Sequence, residues 1–148
     1  MDEYAPAVRT LSPGDLADFL EQPRVAILAT HWADGSVLLS PVWHEWRDGG
    51  FTVATSAGDV KVRHLARDSR ASILVAEDEP PYRGIEVRCG VTLAPDPGGE
   101  TTIRLAIRYL GEERGRAYAA TLGDDTLIRL VPDRPDQVRA WDFADDVP

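Results

Sequence analysis

Cysteine and lysine are almost missing from this chain: its 148 residues hold one of each, Cys89 and Lys61. A lone cysteine excludes an intrachain disulfide, and its place in an alternating apolar run reads as a buried, inert thiol. With no second cysteine, and with His31, His44 and His64 scattered without ligand spacing, no metal site is expected. No apolar run approaches the about 18 residues of a membrane span. The start, Met1-Asp2-Glu3-Tyr4, lacks the basic and apolar pattern of a signal peptide, so a cytoplasmic protein is expected. Positive charge is also scarce, with 16 Lys and Arg against 25 Asp and Glu and a net charge of −9. That balance argues against general nucleic-acid binding, while a local basic pocket for a small anion remains compatible with it. Repeats, low-complexity tracts and linkers are absent, and the length suits one domain over residues 1–148.

What is present is mostly strand. Residues 15–21 follow Ser12-Pro13, a helix start signal, and Leu16, Phe19 and Leu20 make an apolar stripe, so a short N-terminal helix is expected. Residues 25–30 are an apolar strand, Asp34-Gly35 is a hairpin turn signal, residues 37–46 are the return strand, and Asp48-Gly49-Gly50 turns into a strand over 51–55. These three strands predict an antiparallel meander. Further strands are expected over 71–76, 85–93, 127–131 and 138–143, with helical periodicity over 101–109 and 112–122 split at Gly111. Pro132 to Pro135 reads as a turn. With no βαβ alternation, a mainly β fold follows: a small antiparallel barrel of six to seven strands with flanking helices, closure removing exposed edges.

The single lysine stands in Thr55-Ser56-Ala57-Gly58-Asp59-Val60-Lys61-Val62-Arg63-His64-Leu65, after a strand and at a helix start. Gly58 supplies turn freedom and Asp59 can cap a helix from Val60. On that helix Lys61, His64 and Arg67 or Asp68 fall on one face, and Val62, Leu65 and Ala66 point elsewhere. Free N–H groups at the helix start, the Thr55 and Ser56 hydroxyls, Lys61 and Arg63 together suit a phosphate. A solvated basic turn is the other reading of the same spacing.

Residues 25–30, Asp34-Gly35, Ser40-Pro41-Val42-Trp43, Asp48-Gly49, Thr55, Lys61-Val62-Arg63-His64-Leu65-Ala66-Arg67-Asp68 and Arg70, taken in order, resemble the pyridoxamine 5′-phosphate oxidase-like split-barrel family. Tyr109-Leu110-Gly111, Val131-Pro132 and Trp141 extend the resemblance over nearly the whole chain. Within the family the chain is most similar to small coenzyme F420 (deazaflavin)-dependent reductases. The resemblance implies an FMN-binding-type split barrel and a homodimer with cofactors in grooves at the subunit interface. It implies Ser40, Pro41, Val42 and Trp43 against the tricyclic ring. Thr55, Ser56, Lys61 and Arg63 would hold the phosphate or tail, with Val62 and Trp141 in the same set. A proline within a strand-like run, as at Pro41, removes a ladder donor, and a cofactor groove gives that a use. His64 stands where related sequences usually show Asn, and an exposed neutral imidazole is expected there.

Trp32 and Trp46 are expected in packing or an interface, whereas the family pattern places Trp43 and Trp141 towards the cofactor. No Ser-His-Asp arrangement, Gly-x-Ser-x-Gly elbow or zinc signature competes with hydride transfer to a small conjugated organic acceptor, in which the cofactor carries the reactive atom. Tyr82, His44 and Arg83 are open choices for the proton donor, and no catalytic residue is assigned. An FMN-dependent oxidoreductase and a non-catalytic barrel that binds a cofactor or ligand are the alternatives.

Overall fold

Two glycine-bearing turns organise the first half of the chain. At Asp34-Gly35 the Asp34 carboxylate accepts the Ser36 N–H at 2.9 Å while Gly35 adopts φ +87°. Asp48 and Gly49 both adopt left-handed φ, +52° and +74°, as a two-residue hairpin of that twist requires. They join β1 (Ala26–His31) to β2 (Val37–Val42) and β3 (Glu45–Arg47) to β4 (Gly50–Ser56). The computed structural model describes residues 11–145, so the reading of Met1-Asp2-Glu3-Tyr4 lies outside the described residues.

The remaining strands are β5 (Arg70–Ala76), β6 (Gly84–Pro95), β7 (Asp125–Val131) and β8 (Val138–Trp141). All pairings are antiparallel, in the order β2-β1-β5-β6-β7-β4-β3. β8 adds to the first half of β6, over Gly84–Val87, and β7 takes the second half, from Gly90. The two ends of this path, β2 and β3, are consecutive in the chain and separated only by Trp43 and His44. So short a link spans about 11 Å at full extension, so the sheet must curl until its edges nearly meet. The result is a mainly β split barrel.

This connectivity replaces the expected meander. The return strand over 37–46 is two strands, and β4 pairs with β7 rather than with the strand before β3. Pro41 lies opposite Ile27 on β2, an edge strand, where the missing N–H disrupts no second ladder.

Inward-facing residues alternate along each strand: Leu28 on β1, Phe51 and Val53 on β4, Ile73 and Val75 on β5, Ile85 and Val87 on β6, Ile128 and Leu130 on β7. Cys89 joins this core, and burial pushes its thiol up to about 12. A 3-10 turn over Pro13–Leu16, held by Ser12 N–H to the Asp15 carboxylate at 2.7 Å, leads into α1 (Ala17–Glu21), whose Phe19 and Leu20 are buried beside β3. α2 (Val60–Arg67) lies over β1 and β6, and α3 (Glu100–Leu110) and α4 (Glu112–Ala119) form a hairpin beside β4. Among the described residues no helix is long and apolar enough to cross a membrane.

Candidate functional site

The site begins where β2 ends. In a continuous strand the His44 N–H and C=O would enter a ladder; here side chains of α3 take both. The Tyr109 hydroxyl accepts the His44 N–H at 3.0 Å and donates to the Arg24 carbonyl at 2.7 Å, and Arg108 Nε donates to the His44 carbonyl at 3.0 Å. The other Arg108 nitrogens reach the carbonyls of Leu20, Glu21 and Gln22, tying α1 to the same point. Trp43 is thereby turned out of the sheet and stacks on Tyr109, with ring centroids 4.9 Å apart and planes 7° apart. Tyr118 of α4 stands tilted beside it, with ring centroids 5.6 Å apart.

Trp43 walls a hollow of about 310 Å³ that also takes in Pro41, Val42, Thr55, Lys61 and Tyr118. Five of the ten residues expected at a cofactor therefore come together from three elements: Pro41, Val42 and Trp43 at the end of β2, Thr55 on β4 and Lys61 on α2. Ser56 lies in an adjoining hollow of about 170 Å³, between β4 and the α3–α4 hairpin, which shares Trp43, Thr55 and Tyr118 with the first. Ser40 is buried opposite Leu28 and lines neither. Arg63 is exposed and Val62 borders a separate hollow beside Leu93. Trp141 covers Gly84, where an added Cβ would come 2.3 Å from the indole, and takes the Arg139 guanidinium on its face at 4.8 Å. It lines neither hollow.

Lys61 carries the positive charge of the site. Asp59 caps α2 by accepting the Lys61 N–H at 2.9 Å, and the same oxygen takes the ammonium at 3.0 Å. Burial raises the Asp59 carboxyl, but the bonds from Lys61 and a further one from Thr55 outweigh it and hold the group below its ordinary value. An ammonium has three N–H donors; Asp59 takes one, leaving two for an anion in the hollow. Those two donors suit a phosphate, while the Thr55 hydroxyl and the N–H groups of Lys61, Val62 and Arg63 are taken up by Asp59.

The rest of α2 does not form the expected cationic face. His64 is 2% exposed, with Nδ1 2.9 Å from the Thr30 hydroxyl and the Trp32 ring edge-on at 4.2 Å. The imidazole expected to be exposed is buried, because α2 lies flat on β1 and the i+3 position turns inward. Arg67 bonds the His31 carbonyl. Trp46 packs edge-on against Phe51 at 4.8 Å, and Trp32 is 42% exposed.

Among the residues considered for proton donation, His44 is fully buried behind Trp43, and burial, reinforced by Arg108, lowers it to about 4. Arg83 is held by Glu77 through two bonds of 3.0 Å, and Tyr82 is exposed on a loop bordering neither hollow. Sequence reasoning missed Tyr118 and Val25 in the lining of the first hollow. Neither carries a motif; the α3–α4 hairpin and the approach to β1 deliver them from a distance.

The sequence profile described as pyridoxamine 5′-phosphate oxidase matches residues 13–141. No curated protein matches the chain in sequence. Among solved structures, the chain is similar to a conserved hypothetical protein from Mycobacterium tuberculosis, with a TM-score of 0.77, 26% identity and coverage of 97% of this chain and 92% of that one. It is also similar to an F420 reductase, with a TM-score of 0.68, 27% identity and coverage of 82% and 94%. A heme storage protein from Vibrio cholerae, at 20% identity, a TM-score of 0.67 and coverage of 90% and 96%, shares the fold.

Proposed function

The chain belongs to the pyridoxamine 5′-phosphate oxidase family, and from that premise we propose that it is a coenzyme F420-dependent reductase. It acts on a small conjugated organic acceptor, as a homodimer with the cofactor at the subunit interface. The observation that carries this reading is the hollow itself: a stacked aromatic wall at Trp43 facing a lysine with two donors to spare. The likeness to an F420 reductase over most of both chains favours the deazaflavin over FMN.

Bound there, the deazaflavin would supply the hydride. The protein's own work is placement. Lys61 holds the phosphate-bearing tail, with Thr55 lining the hollow beside it, and Pro41, Val42 and Trp43 present a flat, largely apolar wall that excludes water from one side of the ring. The Tyr109 stack and the bonds to His44 fix the Trp43 indole before any ligand arrives, so little ordering remains to be done on binding. His44, neutral and without surface, serves as scaffold.

The homodimer is supported by the outer face of β2, β1 and β5. Pro41, Leu39 and Val37 lie beside Ile27, Ala29 and His31, and Ile27 lies beside Leu74. Leu39 is 65% and Val37 50% exposed, a contiguous apolar strip of the kind that marks an interface. Pro41 belongs both to this strip and to the hollow, so a second copy on the strip would close the hollow's open side.

Parallel fluorescence titrations of the purified protein with oxidised F420 and with FMN test the reading. Selective binding of F420 at micromolar concentration is expected; selective FMN binding, or binding of neither, overturns it.

A further inference from the structure

The groove does not end at the cofactor hollow. Past Trp43 and Tyr118 it runs on into the second hollow, where the apolar Leu105, Ala106 and Leu122 meet Thr102, Ser56 and, opposite Ser56 on β7, Asp125. Asp125 is short of a hydrogen-bond donor. The Thr102 hydroxyl oxygen lies 2.7 Å from Asp96 Oδ2 and 3.0 Å from Asp125 Oδ2, yet a hydroxyl has one proton to give. Asp96 also accepts the N–H groups of Thr101 at 3.1 Å and Thr102 at 2.9 Å, which caps α3 and fixes that carboxylate in place. The proton therefore goes to Asp96 over the shorter distance. Asp125 faces the hydroxyl lone pairs, and no other donor reaches its side chain among the described residues. A part-exposed carboxylate with an unused oxygen thus stands in a hollow lined by both apolar and hydroxyl-bearing residues, and a second carboxylate behind Thr102, offset in part by Arg104, adds to the negative potential. The chain's single lysine, Lys61, lies in the first hollow with its ammonium on Asp59. The groove is polarised along its length, drawing an anion to one end and a cation or N–H donor to the other.

We propose that this second hollow is the acceptor site and that it selects a planar apolar acceptor bearing a cationic or N–H donor group, of the class of amino-substituted aromatic heterocycles. The ring lies between Tyr118 and the Leu105 side, and its donor group bonds Asp125. The role as acceptor site rests on the F420 reading; the ligand preference rests on the hollow alone.

Binding of three bicyclic probes of one shape separates the two. They are 4-aminoquinoline, a cation at neutral pH, quinoline, and quinoline-4-carboxylate, each followed by its own fluorescence with the wild-type protein, Asp125→Asn and Leu122→Trp. The cation is expected to bind at least about tenfold more tightly than the carboxylate, the scale of one hydrogen bond to a charged group. Asp125→Asn should weaken the cation by about ten- to hundredfold and leave quinoline unchanged. Leu122→Trp, at a partly exposed position, should weaken all three by filling the hollow. Thermal melts confirm that both variants fold, and their F420 affinity should equal that of the wild type. Equal binding of cation and carboxylate, or a cation affinity insensitive to Asp125→Asn, overturns the proposal. Cation selectivity without any F420 binding upholds the ligand preference and overturns the cofactor reading.

Discussion

Lys61 illustrates how much one residue can carry at the site while contributing little to the fold. Its backbone N–H makes the cap bond to Asp59, so truncating the side chain leaves the cap intact and removes only a part-exposed ion pair. Such pairs contribute about 0–1 kcal/mol. Lys61→Ala is therefore expected to weaken F420 binding by about 1.5–3 kcal/mol, the scale of a hydrogen bond to a charged group. A fluorescence titration and an apo melt read the two effects, and an apo melting temperature that fell in step with affinity would make Lys61 structural. His44 shows the reverse. Its imidazole is fully buried and sits near pKa 4 when folded, against about 6.5 when unfolded. Above pH 6.5 both states are neutral and the group is silent. As pH falls from about 6.5 to 4, only the unfolded chain takes up the proton, so stability declines by up to about 3 kcal/mol. His44→Phe should flatten the decline in thermal melts between pH 7 and 5; an unchanged slope would place it elsewhere. Lys61 was legible in the sequence because cap, turn and charge are local signals. The burial of His44 and His64 was not, because it depends on what lies opposite them.

At the level of elements, the α3–α4 hairpin is where helix propensity and packing disagree. Gly115 is buried in α4, and a Cβ there would come 2.6 Å from the backbone of Ile107 and 2.7 Å from that of Ala106. Alanine at a helix interior normally gains about 1 kcal/mol over glycine. Here it must push the helices apart, so Gly115→Ala is expected to destabilise by about 1–3 kcal/mol in denaturant unfolding. A stabilised variant would mean that the hairpin separates freely. The same elements explain the misread strand over 37–46. Its residues carry continuous strand propensity, and nothing local marks a break; the break is made by Tyr109 and Arg108, more than 60 residues away, which take the His44 backbone groups out of the sheet. Helices split at Gly111 could be read in advance because Gly111, with φ +87°, is itself the device that ends one helix and starts the next.

For the molecule as a whole, the curl of the sheet and the strip on its outer face belong together. Curling brings the end of β2 opposite β4 and α2, which makes the hollow, and leaves the outer face of β1 and β2 convex and apolar. Leu39→Glu, placed at the centre of that strip beside Ala29, is expected to shift a dimer to monomer in sedimentation and, in the same sample, to weaken F420 binding at least about tenfold through loss of one wall. A monomeric wild type, or a monomeric variant that keeps full affinity, would place the cofactor within one protomer.

Taken alone, the sequence determined the strand and helix content, the capped turn at Asp59-Val60-Lys61 and the soft boundaries at Gly35, Gly49 and Gly111, since each follows from backbone preference within a few residues. It also determined the family, through ordered motifs along almost the whole chain. Only tertiary structure decided that β4 pairs with β7, that Trp43 leaves the sheet to meet Lys61, that Tyr118 borders two hollows and that Asp125 and Asp96 compete for one Thr102 hydroxyl. Each of these rests on groups distant in the chain competing for the same hydrogen bond or the same space, and a pattern of neighbours along one strand carries no record of that competition.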